Sequence, residues 1–554
     1  MARTVLRDRV IFGKTITELG KAWTVHLENY SSKLHTPSAI TFAFVSTHNN
    51  FAFDKMGRLF NRTSPMIKLP EGTREDDHLA LLGVLNSSTA CFWLKQVSHD
   101  KGNRGGERST ARYAWESFYE FTGAKLEQFP LPASLPLEFG RELDALAHKL
   151  ATAEPSAICA DVVPTRERLD AAHAEHERIQ GRMIALQEEL DWDVYRRYRL
   201  LTDSEARDLI AKPEIVPELK LGERAFEILL AERMDGAEGE RQWFERHRSA
   251  PITEIPTRWP DDYRVVVENR IKTIERDRNI ALIERPECKR RWQSEPWETK
   301  EREGLTNWLL DRCEERSLWF GPDGNPRPIT VNRLADRLRE NPDIVSVARL
   351  LSGPDADLAD VLTDITADEH VPYPAQLRYT GEGLLKRAIW EQTWELQRAE
   401  DRTGTRLDIP VPPKYKNTDF RKPSYWRQRG KLDVPKERFI SYPLASPDTD
   451  DALLLGWAGW DHREQAHALI TVIDERSTTD GWGTDRLRPL LAGLSEVMSW
   501  VRQWHTEVDP HFGQTPADAY DAYLTAQRET HALTEESLRT WTPPQPPRGR
   551  RPRS

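Results

Sequence analysis

A long apolar seam runs through the sequence around residue 180. Apolar or small side chains, together with one histidine, recur there at alternating spacings of three and four. The seam residues are Leu169, Ala172, His176, Ile179, Met183, Leu186 and Leu190. This heptad spacing predicts one helix with a continuous packing face, about 33 Å long at 1.5 Å per residue.

A second helix is predicted just before the seam, in "EFGRELDALAHKLATAE". It carries Leu143, Leu146 and Leu150 on one face. Because only a short linker bracketed by Pro155 and Pro164 joins the two helices, we expect them to pack as an antiparallel hairpin. This coiled-coil arm is interpreted as a spacer or packing device, not as a site.

The rest of the chain predicts a mostly α fold with an N-terminal α+β domain and a helical C-terminal region. "ITFAFVST" (40–47) is rich in aromatic and β-branched residues and predicts a strand. Five segments follow from the pattern. They are an α+β domain (1–135), the hairpin (136–204), a helical domain (205–400), a basic loop with C-terminal helices (401–540), and a disordered Pro/Arg tail (541–554).

Leu85-Asn86-Ser87-Ser88 interrupts an apolar stretch and predicts a break between two short helices. Asn86 can end the first helix, and Ser87 or Ser88 can cap the second, because their side-chain oxygens accept from free backbone N–H groups. The second helix leads into a basic, glycine-containing loop, Lys95–Arg112. A proline-punctuated segment with Pro130 and Pro132 follows.

Composition excludes several classes of protein. The net charge of −10 argues against a protein that coats nucleic acid with its whole surface, although a local basic face is compatible with it. No apolar run approaches the roughly 18 residues of a membrane span. The four cysteines contain no Cys-x-x-Cys pair, which favours reduced, buried thiols in a cytoplasmic protein over zinc or disulfides.

The strongest chemical feature is the basic segment Pro412–Arg438, in which nine basic residues meet three acidic ones and four aromatic rings. Such a segment can neutralise DNA phosphates, and its aromatics can stack on bases or simply anchor the loop. The alternative is a solvated basic loop docked on an acidic neighbouring domain. Lys95–Arg112 is a second candidate for contact with a phosphate backbone.

Other groups of charged or metal-ligating residues in the sequence give weaker signals of function. Ile283–Glu298 mixes Lys289, Arg290 and Arg291 with glutamates, so internal ion pairing is expected there. His173 and His176 have a spacing that two metal ligands can use, but no further ligand motif completes a site. No P-loop and no Gly-x-Ser-x-Gly elbow is present, so no catalytic or metal-binding residue is predicted.

"LLGVLNSS", "FWLKQVS" and "FTGAKLEQFPLP" followed by a long helix resemble the target-recognition region of restriction–modification methyltransferases. Type I specificity subunits have a similar order of helix, Leu-Asn-Ser, loop, Pro-x-Pro and helix. Long words such as "NSSTACFWLKQVSHDKG", "GKLDVPKERFISYP" and "LLLGWAGWDHREQA" resemble the PglX family over nearly the whole chain. Members of that family are adenine-specific DNA methyltransferases of phage growth limitation systems, and they act with partner proteins of the same defence system.

The resemblance has two departures. Family enzymes bind S-adenosylmethionine through a glycine-rich motif and hold the flipped adenine through Asn/Asp-Pro-Pro-Tyr/Phe, and neither motif occurs here. The resemblance therefore implies the C-terminal half of the family, with the catalytic domain supplied in trans or lost and no cofactor on this chain. The second departure is Tyr198-Arg199-Leu200, where Tyr-Gly-Leu is common in the long fused enzymes.

Together, these features predict the target-recognition and C-terminal portion of a phage-defence methyltransferase that binds double-stranded DNA. The predicted DNA contacts are Lys95, Lys101, Arg104, Arg108, Lys414, Arg421, Lys422, Arg427, Arg429 and Lys431. The main alternative is a protein–protein interaction module of the defence complex. A third reading, an intact methyltransferase with degenerate motifs, also stays open.

Overall fold

The structure of the chain is a computed structural model. It describes residues 10–11, 13–16, 18–20, 38–101, 113–234, 238–509 and 513–543. They are mostly helical with small sheets, as predicted, and the α+β elements lie towards the N-terminus. The chain divides into two compact units, residues 29–301 and residues 1–28 with 302–554. The five segments predicted from the sequence are a finer division and stay a prediction.

The 29–301 unit has two three-stranded antiparallel sheets and eleven helices among its described residues. One sheet has the order β5-β3-β6 and the other β4-β8-β7. Two strands of the other unit, β1 (Val10–Ile11) and β2 (Lys14–Thr15), precede it in sequence. Its own elements are β3 (Ala39–Phe42), β4 (Val45–Ser46), β5 (Phe51–Asp54), β6 (Met66–Ile67), α1 (Glu75–Leu85), α2 (Ser88–Val97), β7 (His99–Asp100), β8 (Tyr119–Glu120), α3 (Gly123–Leu126), α4 (Leu137–Thr152), α5 (Pro155–Asp161), α6 (Arg166–Arg197), α7 (Asp203–Leu209), α8 (Ala225–Glu232), α9 (Glu238–His247), α10 (Asp261–Arg276) and α11 (Arg278–Ile283).

The predicted strand 40–47 is two strands in the structure. Its first half, β3, pairs with β5 and β6, whereas its second half, β4, pairs with β8 in the other sheet. The two sheets thus share one stretch of chain. Apolar periodicity marked the stretch as extended but could not show where it changes sheets.

The predicted helical hairpin is present and antiparallel. Glu142 of α4 lies 3.1 Å from Arg182 of α6, while Glu154, farther along, lies 3.2 Å from His176, earlier in α6. All seven seam residues are buried. The C-terminal part of α6 is more than a spacer, because every residue from 183 to 195 is buried and no side of it faces solvent.

The Leu-Asn-Ser-Ser break is a fixed corner between α1 and α2. Asn86 ends α1, and its side-chain amide pairs with both the N–H and the C=O of Phe51 in β5, each at 3.0 Å. Ser87 caps α2 by accepting from a backbone N–H of its first turn. The next residue, Ser88, donates its backbone N–H to Asp191 of α6 at 2.8 Å. The corner is therefore tied to both the sheet and the central helix.

Helix α6 ends at the tripeptide that departs from the family pattern. Arg199 has a φ of 60°, the left-handed region that favours glycine, and the N–H of Leu200 donates to the carbonyl of Tyr195 at 2.9 Å. A side chain in this conformation costs roughly 1 kcal/mol that glycine avoids. The turn therefore has a backbone conformation that glycine adopts without strain, formed here by an arginine.

Replacing Arg199 with glycine is expected to stabilise the protein by about 0.5 kcal/mol, because relief of the strain exceeds the added freedom of the unfolded chain. Denaturant unfolding of the full chain measures the change. Arg196→Gly, three residues earlier inside α6, is the matched control and should cost about 1 kcal/mol. Equal losses for both variants would contradict the strain argument.

The second unit surrounds a mixed four-stranded sheet of order β10-β11-β12-β9, in which only the β10–β11 pair is parallel. The unit boundary falls inside α12. Its elements are α12 (Trp297–Cys313), β9 (Ile329–Thr330), α13 (Val331–Leu338), α14 (Pro342–Ser352), α15 (Leu358–Thr366), β10 (His370–Pro372), α16 (Ala375–Arg378), α17 (Gly381–Thr403), α18 (Pro423–Arg429), β11 (Phe439–Ser441), β12 (Leu454–Trp457), α19 (His462–Thr478), α20 (Thr484–Trp504), α21 (Pro516–Thr530) and α22 (Glu535–Arg539).

Candidate nucleic-acid interface

The basic segment Pro412–Arg438 is an ordered platform. Helix α18 lies between two short 3-10 turns, 417–419 and 430–432. The N–H of Tyr415 donates to the carbonyl of Lys431 at 3.0 Å, which joins the two ends of the segment. The backbone that carries the basic side chains is therefore held in place by the fold.

The aromatic residues of this segment anchor it. Tyr415, Phe420 and Tyr425 are buried and pack with Tyr379 in one cluster. The rings of Tyr379 and Tyr415 stack with centroids 5.2 Å apart. Of the two roles that the sequence left open, stacking on bases or anchoring, the structure shows anchoring for these three rings, because buried rings offer no face to a base.

Two carboxylates, the buried Asp419 and the partly buried Glu496, hold the platform in place. Asp419 is fully buried. Its carboxylate accepts hydrogen bonds from the ammonium of Lys386 and from the backbone N–H of Lys416, each at 2.6 Å. Near the start of α17, Arg378 and Arg387 both contact Glu496, at 2.9 and 2.8 Å. These two guanidinium groups lower the pKa of Glu496 to about 2 against the opposing effect of its burial. A variant at these residues would therefore disturb the platform itself.

Five of the six cations predicted here are exposed on this platform: Lys414, Arg421, Lys422, Arg427 and Lys431. Lys416 and Lys436, which the prediction omitted, are exposed as well. Arg421 uses its Nε to donate to the carbonyl of Gln376 at 2.9 Å and keeps its outer nitrogens available. The exposed set forms a basic surface on an acidic chain.

Arg427 and Arg429 differ in availability. Arg427 lies 2.6 Å from Asp368, but both side chains are more than 60% exposed, so the pair is weak and exchangeable. Arg429 is 13% exposed and is held by Glu437 and, at 3.6 Å, by Asp433. Arg429 is therefore less available than Arg427, because carboxylates inside the fold already balance its charge, and its contact with DNA stays a prediction.

Of the four contacts predicted in Lys95–Arg112, Lys95 and Lys101 lie among the described residues. Lys95 lies on α2, is 8% exposed, and donates its ammonium to the carbonyl of Glu287, so it is not on an exposed loop. Lys101 is half-exposed and lies 2.5 Å from Glu120. Arg104 and Arg108 lie outside the described residues. Lys95 thus lies on the inner face of a helix and not at the start of the loop, and its contact with DNA stays a prediction.

The ion pairing expected in Ile283–Glu298 is confirmed for Lys289. Its ammonium is fully buried and lies 3.0 Å from Glu188, 2.9 Å from Asp191 and 3.0 Å from Glu284. Two of these partners come from α6, about a hundred residues away in sequence. Apart from the acidic run that surrounds Trp192, no sequence pattern predicts this buried cluster.

A family profile described as "Domain of unknown function (DUF7008)" matches residues 183–552, about two thirds of the chain. The chain belongs to this DUF7008 family. It is also 48% identical to a protein of Streptomyces coelicolor named "Adenine-specific methyltransferase PglX". The match covers 99% of this chain and 46% of the relative, so the chain spans about half the length of that protein. No solved structure matches this chain.

S-adenosylmethionine, the cofactor that the resemblance implies for the full-length family, is held there by a glycine-rich motif. Closely spaced glycines occur at the end of β12, but the space beside them is filled by tryptophan. A Cβ on Gly456 would lie 2.4 Å from the ring of Trp460, and one on Gly459 would lie 2.4 Å from the ring of Trp457. This DUF7008 member therefore offers no cradle for the cofactor at that position.

The two spaced histidines both pack against the ring of Trp297. His173 stacks on Trp297 with ring centroids 4.5 Å apart, whereas His176 is buried beside Glu154. Within the described ranges, no group of three or more His, Cys, Asp or Glu is placed to hold a metal ion. All four cysteines are buried and free, as predicted. Among the described helices, none combines the length and the apolar character needed to cross a bilayer.

Proposed function

We propose that this chain is the target-recognition and C-terminal portion of a phage-defence adenine-specific DNA methyltransferase, and that its basic platform binds double-stranded DNA. Methyl transfer would then depend on S-adenosylmethionine-binding and catalytic motifs that these 554 residues do not contain. Other proteins of the defence system would be its partners. The 48% identity to the relative named PglX supports the enzyme class.

The observation that carries the DNA proposal is the set of exposed cations on the fixed platform of 412–438. Lysine and arginine side chains held at fixed positions bind a phosphate backbone by releasing condensed counterions, a contribution that needs no base contact. Two of the three acidic residues of the segment, Asp419 and Glu437, are buried and paired, so they oppose this field little. The whole chain has a net charge of −10 although this segment is basic, and this contrast would orient DNA towards the segment.

Neutralising Lys414, Arg421, Lys422 and Lys431 together to glutamine is expected to weaken binding to a duplex of any sequence. Each phosphate contact contributes roughly 0.9 to the slope of log affinity against log salt. The slope of the variant should therefore be shallower by about 3 to 4. Fluorescence anisotropy of a labelled duplex over a salt series measures both quantities.

The matched control neutralises four exposed arginines of the same unit, Arg333, Arg337, Arg349 and Arg463. It makes an equal change in net charge, and one of its members, Arg337, also donates to a backbone carbonyl, as Arg421 does. This control should keep the wild-type slope. Absence of measurable binding by the wild-type chain at low salt would disprove the proposal.

The alternative, a protein–protein interaction module, has one observation in its favour. The segment already uses acidic groups of its own unit, as in the contacts of Arg438 with Asp311 and Glu314. If the fourfold variant keeps its DNA affinity but no longer co-purifies with proteins of the defence system, this alternative replaces the DNA proposal. Arg427→Glu is the matching charge reversal, since Arg427 is exposed and can be changed without disturbing the anchors.

A further inference from the structure

The C-terminal turn of the basic platform inverts the usual placement of charged and apolar side chains. Arg429 and Glu437 contact each other, and only 13% and 2% of their side chains are exposed. Leu432 and Val434, which lie between them in sequence, are instead 54% and 52% exposed, and the next residue, Pro435, is exposed as well. Single exposed aliphatic residues are ordinary, but here three lie within four positions. They form the apolar tip of the platform.

Contacts of the backbone hold the apolar tip in one conformation. The N–H of Val434 donates to the carbonyl of Arg429 at 3.0 Å, and the N–H of Asp433 donates to the carbonyl of Gly430 at 3.3 Å. Asp433 has a φ of 52°, in the left-handed region, and its carboxylate lies 3.6 Å from the guanidinium of Arg429. Because the turn is already ordered, covering the tip with a partner costs little conformational entropy.

Lysines lie on both sides of the apolar tip. Lys431 and Lys436 precede and follow it directly in the sequence. The N–H of Tyr415 donates to the carbonyl of Lys431 at 3.0 Å, and this contact brings the backbone of Lys414 and Lys416 next to the same turn. All four lysines are exposed, and within the described ranges none of their ammonium groups forms an ion pair. The surroundings of the tip therefore match a partner with a dense negative charge.

The acidic residues of the platform do not weaken this match. Asp419 and Glu437 are buried, and the side chain of Asp433 is 23% exposed. Lys386 lies 2.6 Å from Asp419, and Arg429 contacts the other two carboxylates. A partner at this turn therefore meets an aliphatic centre with lysines around it. DNA has the complementary arrangement, because phosphates line both edges of its minor groove and the stacked bases between them present apolar faces when they separate.

We propose that the apolar tip enters the minor groove of bound DNA and partly unstacks one base step, while the lysines around it contact phosphates on the edges of the groove. Proteins that bend DNA insert leucine, proline and other apolar side chains in this way and kink the duplex by about 20–90°. The inference rests on the proposed function, because the platform must first bind DNA. It adds a deformation of the duplex, which favours flexible sequences without any hydrogen bond to a base.

Fluorescence of 2-aminopurine in the central TA step of a short duplex tests the unstacking directly. Emission of this base analogue is quenched while it is stacked, so binding of the full wild-type chain should raise the emission by about twofold or more. The double variant Leu432→Ala with Val434→Ala should abolish this rise. Its slope of log affinity against log salt should stay within about 0.5 of the wild-type slope, because no cation has been removed.

The matched control is Leu385→Ala with Val508→Ala, which truncates the same two residue types in the same unit, where they are 71% and 60% exposed. This control should keep the wild-type rise in emission. If the wild-type chain binds the duplex with a steep salt slope but the emission stays constant, the wedge is disproved and the proposed function stands. Equal loss of emission in the control and in the test variant also disproves the wedge. Absence of any DNA binding by the wild type overturns both proposals.

Duplexes of different flexibility give a second, independent measurement. Pyrimidine–purine steps such as TA unstack easily, whereas A-tracts are stiff. The wild-type chain should therefore bind a duplex with a central TA step about threefold or more tighter than one with a central A-tract of equal length. Without the apolar tip, the double variant should bind both duplexes equally. A preference that survives in the double variant would show that the tip does not deform DNA.

A membrane surface is the other partner that combines negative charge with an apolar interior. The tip offers fewer carbons than a single acyl chain, which by itself gives only marginal attachment, so the structure favours DNA. Sedimentation with vesicles that contain about 30% phosphatidylserine separates the two partners. We expect no difference between the wild-type chain and the double variant. Vesicle binding that the wild type shows and the double variant loses would assign the tip to a lipid surface and overturn the wedge.

Discussion

Replacing Lys289 with methionine is expected to destabilise the 29–301 unit by about 3 to 5 kcal/mol, the largest effect of any single substitution considered for this chain. The fully buried ammonium lies within 3.0 Å of Glu188, Asp191 and Glu284. Its removal leaves three carboxylates together in a low-dielectric core with no cation between them. Since typical domains are stable by about 5–15 kcal/mol, much of the folded population is at risk. Urea unfolding followed by tryptophan fluorescence measures the loss.

Two further variants make this result specific to the cluster. Lys272→Met removes an exposed lysine whose partner Glu268 is also exposed, so it should cost less than about 0.5 kcal/mol. Combining Lys289→Met with amides at Glu188, Asp191 and Glu284 removes all the buried charges and should recover most of the loss. If Lys289→Met is as stable as Lys272→Met, the cluster does not depend on its cation.

The cluster also connects distant parts of the unit. Asp191 accepts from Ser88 at the Leu-Asn-Ser-Ser corner and from Lys289, while Tyr195 donates to Glu284 at 2.5 Å. The same segment that supplies Lys289 continues to Arg291 and its neighbours. The positions of α2, α6 and residues 284–289 are therefore coupled, so loss of the cluster should disturb all three.

Features encoded by neighbouring residues were predictable from the sequence. The seam around residue 180, the end of α1 at Asn86 and the cap of α2 at Ser87 all depend on periodicity or on capping contacts within a few residues. The aromatic residues of the basic platform were recognised, although the sequence left their role open. Whether a ring packs inward or offers a face to a base depends on Tyr379 and α17, which precede the segment.

Features that depend on distant partners were not predictable. Glu188, Glu189 and Asp191 look like a solvated acidic run, and only the folded chain brings Lys289 and Arg270 to them. Periodicity identifies one apolar face, but it does not show that a helix is buried on all sides. The burial of Lys95 was not predictable for a related reason, because a lysine near a basic loop was assumed to share the exposure of the loop.

The close crossing of α1 and α4 gave no sequence signal either. A Cβ on Gly140 would lie 2.0 Å from the carbonyl oxygen of Leu79, so only glycine permits this approach. In the sequence, Gly140 sits in an ordinary helical pattern, where glycine only lowers helix propensity. The reason for a glycine at this position is visible only when the position of the α1 backbone is known.

Replacing Glu188 with glutamine is expected to make the stability of the unit less dependent on pH. Burial raises the pKa of Glu188 from 4.5 to about 7 in the folded protein, although Lys289 acts in the opposite sense. A carboxyl group with a raised folded pKa stabilises the fold fully below the unfolded pKa. That contribution is lost as the pH rises from about 4.5 through 7, because the folded protein must then ionise a buried group that the unfolded chain ionises easily.

Glutamine stays neutral over this range. The free energy of unfolding of the variant should therefore rise relative to that of the wild type by up to about 3 kcal/mol between pH 4.5 and pH 8. The free energy of unfolding of both proteins, measured in urea at several pH values, gives this difference. Glu268→Gln, which removes an exposed carboxylate, should show no such trend because solvent screens that charge. A gap between Glu188→Gln and the wild type that stays constant, or that grows towards low pH, would show that Glu188 is ionised in the folded core, with Lys289 balancing all three carboxylates at once.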